Sequence, residues 1–106
     1  MLREGRAIDL YAPGTSMRPL FPPGSTVRVF PARAADVRLG DVVLVDFDGL
    51  LVAHRLIRAR NGRIVTRGDA TPHADREMPA EAIVGKVEVP PSPLALYAAV
   101  KALLRW

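Results

Sequence analysis

A serine hydroxyl becomes a useful nucleophile only when a neighbouring base takes its proton. One serine of this 106-residue chain stands in unusual company, in the hexapeptide Gly14-Thr15-Ser16-Met17-Arg18-Pro19. Gly14 allows backbone angles or a close approach that a Cβ would forbid, and Pro19 fixes φ and removes a donor. Ser16 is therefore expected in a constrained, irregular segment that can aim a side chain at a cleft. The same hexapeptide also reads as an ordinary Pro/Gly turn with a solvated serine. The candidate bases are few. Arginine stays protonated, and Lys86 and Lys101 are the only lysines, which leaves chiefly His54 and His73. His73 sits in a polar loop and is expected to be solvated. His54, taken alone, also reads as a half-buried strand histidine with one ordinary hydrogen bond. A histidine base works best when a carboxylate fixes its tautomer and stabilises the imidazolium. The loop Thr66-Arg67-Gly68-Asp69-Ala70-Thr71-Pro72-His73-Ala74-Asp75 offers two carboxylates, Asp69 and Asp75. Aspartates also cap and bend loops. One of the two is expected to serve His54 and the other to hold the turn.

These residues need strands to carry them. Residues 7–11 form a short strand candidate, and Phe21-Pro22-Pro23-Gly24 is a turn signal. Residues 26–30 alternate and are β-branched, as a strand requires. Arg38-Leu39-Gly40-Asp41 turns into the more continuously apolar strand 42–47, expected to be buried. Asp48-Gly49 and Asn61-Gly62 are strong hairpin turns. They place strands at 50–60 and 63–67, followed by a polar loop over 68–79 and a last strand over 82–89. In the long strand, Val52, His54 and Leu56 share one face, and Ala53, Arg55 and Ile57 the other. His54 and Arg55 therefore point apart, and only one of them can address Ser16. Ser92 suits an N-cap and Pro93 a first helical position, which predicts a helix over 94–106. Leu96, Ala99, Val100 and Leu103 fall on one side of it, expected to pack on the sheet, with Lys101 and Arg105 on the other. The fold class is thus mostly β, with one short C-terminal helix.

Composition narrows the function classes. Hydrophobic and charged fractions of 49% and 25% are those of a globular chain. No cysteine is present, which excludes disulfides and thiolate metal sites. No metal or cofactor is expected. No apolar run is long enough for a signal peptide or a membrane span, so a cytoplasmic or peripheral membrane location is expected. The net charge of +4, with Arg55, Arg58, Arg60, Arg63 and Arg67 along one hairpin, raises a nucleic-acid-binding β domain as one reading. Single-strand binders add aromatic platforms, and no Phe, Tyr or Trp lies between Gly49 and Lys86. Those arginines are expected on a solvated sheet face, and a nucleic-acid partner is not expected.

Several short boxes then occur in a telling order. They are Ser16-Met17-Arg18-Pro19, Gly40-Asp41-Val42-Val43, His54-Arg55, Gly68-Asp69 with Asp75, and Val84-Gly85-Lys86-Val87. Over roughly residues 12–89 the chain resembles the type I signal peptidase family. The resemblance implies a coiled β-sheet or partly open barrel with an exposed cleft, cutting peptides after small residues. Most bacterial members use a serine–lysine dyad, and a second branch has histidine in the lysine's place. His54 puts the chain with the second branch. By the resemblance, Ser16 is the nucleophile, His54 the base, Asp75 the acid that orients it and Asp69 a second required acid. The Ser16 N–H is one oxyanion donor, and Met17, with Gly14 and Thr15, faces the substrate. Three features depart from the family. Gly14 stands where many members have a serine that donates to the oxyanion. Thr71 replaces a common asparagine, and no membrane anchor precedes Ser16. The self-cleaving repressor relatives are the less expected match, since they use lysine and carry a separate DNA-binding domain that a chain of this length is not expected to hold.

The resemblance assigns residues 1–91 to a catalytic domain and 92–106 to an amphipathic helix of the same domain. The expected function is a serine endopeptidase that processes a peptide or protein precursor. The alternatives are an inactive peptide-binding module of the same fold and the nucleic-acid-binding domain. The helix at 94–106 is too short to span a bilayer, and it occupies the place where some members of the histidine branch carry a membrane helix. It is a possible contact for a membrane surface or a membrane-protein partner.

Overall fold

Two turn dipeptides set the centre of the sheet. Asp48-Gly49 joins β3 (Val42–Phe47) to β4 (Leu50–Arg60), and Asn61-Gly62 joins β4 to β5 (Arg63–Arg67). All four turn residues have positive φ, 54° and 98° in the first turn and 53° and 74° in the second. That is the condition of the two-residue turns whose twist matches the flanking strands. In this computed structural model, residues 6–12, 16–17, 21, 24–89 and 92–104 are described. The remaining strands are β1 (Ile8–Ala12), β2 (Ser25–Pro31), β6 (Met78–Pro79) and β7 (Ile83–Val87). Together the seven form one curled, antiparallel half-barrel sheet in the order β1-β2-β7-β3-β4-β5-β6. The expected mostly β class holds.

The apolar run of β3 reflects burial on both of its faces. Val43 and Val45 join Leu56, Ile64, Met78 and Ile83 in one cluster. Val42 and Leu44 join Val27, Val29, Val87 and Met17 in another. Each such side chain contributes about 1.5–3 kcal/mol on leaving water, an upper estimate against an extended unfolded chain. The structure adds two features, one inside the expected 68–79 loop and one in the long strand. The first is β6, which pairs Met78 with Ile64 and buries the Met78 side chain. The second is a bulge in β4, where Leu56 faces Thr66 but Arg58 already faces Val65. Ile57 is the extra residue, so Ile57 and Arg58 come out on the same face.

The helix α1 (Pro93–Leu104) begins as expected, with the Ala95 N–H donating to Ser92 Oγ at 3.0 Å. Residues 105 and 106 lie outside the described residues. Its docking face corrects the expectation. Ala98 and Ala102 are the buried residues, and Ala102 packs with Ile57 and Val65. Leu96, Val100 and Leu103, expected inside, are exposed. The helix is apolar on both sides, so periodicity does not choose between them. The alanine side permits the closer approach to the sheet. Among the described residues, no helix is long and apolar enough to cross a membrane.

Candidate active site

Ser16 is held from two directions. Beside it, Met17 is buried in the cluster of Val27, Val42 and Leu44, and accepts the Asp69 N–H on its sulfur at 3.3 Å. The Ser16 carbonyl accepts the Ala70 N–H at 2.7 Å. The loop after β5 therefore clamps the serine backbone. Gly68 makes the clamp possible. A Cβ there would stand 2.7 Å from Ser16 O, 2.8 Å from Ser16 Cβ and 3.0 Å from His54 Nε2. Contacts that close are not tolerated, so this position requires a residue without a side chain.

β4 presents His54 to the serine. His54 Nε2 lies 2.9 Å from Ser16 Oγ, and His54 Nδ1 lies 2.6 Å from Asp75 Oδ2. The imidazole is buried, only 8% exposed. Thr66, on β5, donates its hydroxyl to the same Asp75 oxygen at 2.8 Å, and the Asp75 N–H donates to Thr66 O at 2.8 Å. Burial pushes the Asp75 carboxyl upward. The hydrogen bonds from His54 and Thr66, with the His54 charge, outweigh that and hold it below its ordinary value of 3.8. An ionised carboxylate only accepts, so Nδ1–H donates to Asp75, and in the neutral imidazole Nε2 is then the nitrogen that accepts from the Ser16 hydroxyl.

Asp69 lies on a different partner. Its two oxygens accept from Arg55 Nε at 2.8 Å and Arg55 Nη2 at 2.6 Å. Arg55 Nη1 donates to Gly40 O at 2.7 Å. Arg55 is only 2% exposed, which corrects the expectation of a solvated arginine face at that position. Arg67 is half-buried as well, donating to Thr71 O at 3.0 Å and Pro72 O at 2.8 Å. Arg58, Arg60 and Arg63 are exposed, as is His73. The structure thus brings Ser16, His54 and Asp75 together in one chain of contacts and sets Asp69 beside it on a separate one. Gly14 and Thr15 lie outside the described residues.

Three residues that sequence reasoning did not assign belong to these contacts: Thr66, Arg55 and Gly40. A buried-strand pattern with one arginine inside it was the available signal for Arg55. Nothing in the sequence singled out Thr66. Beside Ser16 runs an apolar cleft of about 410 Å³, lined by Leu10, Met17, Phe21, Val27, Leu44 and Ala53 among others. β5 pairs with β4 only from Arg55 onward. Among the described strands, residues 51–54 of β4 have a neighbour on the β3 side alone.

A family model described as Peptidase S24-like matches residues 1–88. The chain belongs to that family. Its members are serine peptidases of the LexA/signal peptidase I-like kind, so the match reaches the wider family and does not single out the histidine branch of the signal peptidases expected from the sequence. The matched part of this S24-like chain contains Ser16, His54, Asp69 and Asp75 and ends just after β7, before α1 begins. No curated protein and no solved structure matches the chain.

Proposed function

We propose that this S24-like protein is a serine endopeptidase of the Ser–His type, with Ser16 as nucleophile, His54 as general base and Asp75 as the acid that orients it. The observation that carries the reading is the imidazole of His54 bridging Ser16 Oγ at 2.9 Å and Asp75 Oδ2 at 2.6 Å. A histidine whose two nitrogens meet a hydroxyl on one side and a carboxylate on the other is set to move a proton.

In the proposed reaction, Ser16 Oγ attacks the scissile carbonyl carbon while its proton passes to His54 Nε2. Asp75 keeps the ring in place and stabilises the imidazolium. The tetrahedral oxyanion is met by the Ser16 N–H. Collapse expels the amine, which leaves with the proton from Nε2, and an acyl-enzyme remains on Ser16. Water, deprotonated by His54, then releases the acid product and restores the serine. Asp69 is not in proton transfer. Through Arg55 it holds the loop that clamps Ser16 and Met17.

The substrate proposed is a peptide or protein precursor, cut after a small residue as the signal-peptidase resemblance implies. An extended segment can add to the open side of β4 at residues 51–54, with side chains directed into the apolar cleft. The complete serine–histidine–aspartate contact favours catalysis over an inactive binding module. The test is a serine-reactive probe. It is expected to label wild-type protein on Ser16 and to leave Ser16→Ala unlabelled. Wild-type protein that resists both the probe and a panel of peptides with small residues would sink the reading.

A further inference from the structure

The helix α1 buries only alanines inward. Its outward side carries Leu96, Tyr97, Val100, Leu103 and Leu104, with Leu104 82% and Leu96 68% exposed. At 100° per residue these five fall within one arc of the helix, and Lys101 lies at its flank. A helix that is apolar on both sides has a second surface to cover. The sheet takes the place that the polar face occupies in an isolated interfacial helix.

What lies beside the helix indicates what covers it. Val65 packs against Ala102, so the face of β5 that bears Val65 is the face that bears α1. Arg58 stands directly opposite Val65, and Arg60 opposite Arg63. Residues directly opposite one another point to the same side, and residues two apart along a strand share a face. Arg58, Arg60 and Arg63 therefore project on the helix side of the sheet. With Asn61, Val65 and Glu77 they line a groove of about 240 Å³. Arg63 is partnered there by Glu77 at 3.1 Å, and both side chains are about half exposed. An apolar ridge and a cationic groove thus share one side of the molecule.

We propose that this side docks the protein on an anionic lipid surface, with the outer residues of α1 in the acyl boundary and the arginines among the headgroups. Charge argues against a second copy, because pairing this side with itself would bring two cationic grooves together in a chain of net charge +4. Length argues for lying in the interface and not crossing it. The 12 residues of α1 reach about 18 Å, against a hydrocarbon core of about 30 Å. The inference is independent of the peptidase reading and uses none of its residues.

The experiment is co-sedimentation of the full chain with vesicles of phosphatidylcholine alone and with about one third phosphatidylserine. Binding to the anionic vesicles, weakened by added salt, is the expected result. Leu96→Glu with Val100→Glu should abolish it. Arg60→Gln and Arg63→Gln should each weaken it about fivefold, the usual worth of one cation at such a surface. All of these side chains are exposed, so melting temperatures should stay near wild type. Three results would overturn the proposal. One is a full chain that stays in the supernatant with anionic vesicles. Another is equal binding to both vesicle types. The third is a monomer–dimer equilibrium that Leu96→Glu abolishes while lipid has no effect, which would give the face to a second copy.

Discussion

Adjacent residues of β4 support two networks of opposite character. His54 faces Ser16, Asp75 and Thr66, and Arg55 faces Asp69 and the Gly40 carbonyl. Both are buried, both contain one carboxylate, and both reach the same loop after β5. They differ in what can happen to a proton. An imidazole can accept one and give it back near neutral pH, whereas a guanidinium never releases its own. The Arg55 network is thus fixed in charge and shape. The His54 network changes charge with each proposed turnover. The strand's alternation separates them by a single residue and keeps the rigid pair from quenching the mobile one.

If that contrast is right, the largest losses follow from substitutions on the His54 side. Ser16→Ala and His54→Ala are each expected to lower turnover by about 10⁴–10⁶-fold with the fold intact, as removal of a nucleophile or base does elsewhere. Rates within tenfold of wild type in His54→Ala would end the assignment of the base. Asp75→Asn comes next. It should leave His54 in the wrong tautomer and cost about 10⁴-fold in rate. Circular dichroism should show little change.

The Arg55 side should respond in stability first. Asp69→Asn or Arg55→Met breaks a buried ion pair by removing one partner and is expected to cost about 3–5 kcal/mol. The double variant Arg55→Met with Asp69→Leu should regain much of that, since a buried pair is often replaceable by apolar residues. If Asp75→Asn lowered the melting temperature more than Asp69→Asn did, the two aspartates would have to exchange roles.

The smallest effect belongs to Thr66. Thr66→Val removes a hydrogen bond to a carboxylate and is expected to cost about 1.5–3 kcal/mol at neutral pH. Asp75 is held below its ordinary 3.8, so the stability it lends is present above that pH and is lost as pH falls through the folded-state value. The gap between Thr66→Val and wild type should therefore narrow in acid, once Asp75 is protonated in both. Thr66→Ser should behave as wild type. A gap that stays constant with pH would make Thr66 a packing residue only.

Much of this comparison was legible in the sequence, for local reasons. The end of β3, both ends of β4 and the start of β5 follow from two dipeptides that demand positive φ. The divergence of His54 and Arg55 follows from the period of a strand. The order of boxes named the residues that meet at the candidate site. What could not be read is long-range or irregular. Arg55 looked solvated because its partner, Asp69, lies beyond a hairpin and a loop. The β4 bulge leaves no pattern, since one extra residue does not alter composition. β6 is two residues long, too short for alternation to register. The docking face of α1 does not follow from its leucines, because both sides are apolar and a close-packed surface favours the smaller residue, alanine.

Biosynthesis runs from β1 to β7, and the sheet does not. β2 and β3 do not pair with each other, and each pairs with β7. Ser16 precedes β2, and His54 follows β3. A nascent chain that has emerged only through β6 holds every residue from Ser16 to Asp75 but lacks the strand that joins the two parts of the sheet. Hairpins close early, and pairings between distant segments close late. Ser16 and His54 are accordingly expected to reach contact only after residues 83–87 have left the ribosome, so the proposed chemistry would wait on a nearly complete fold.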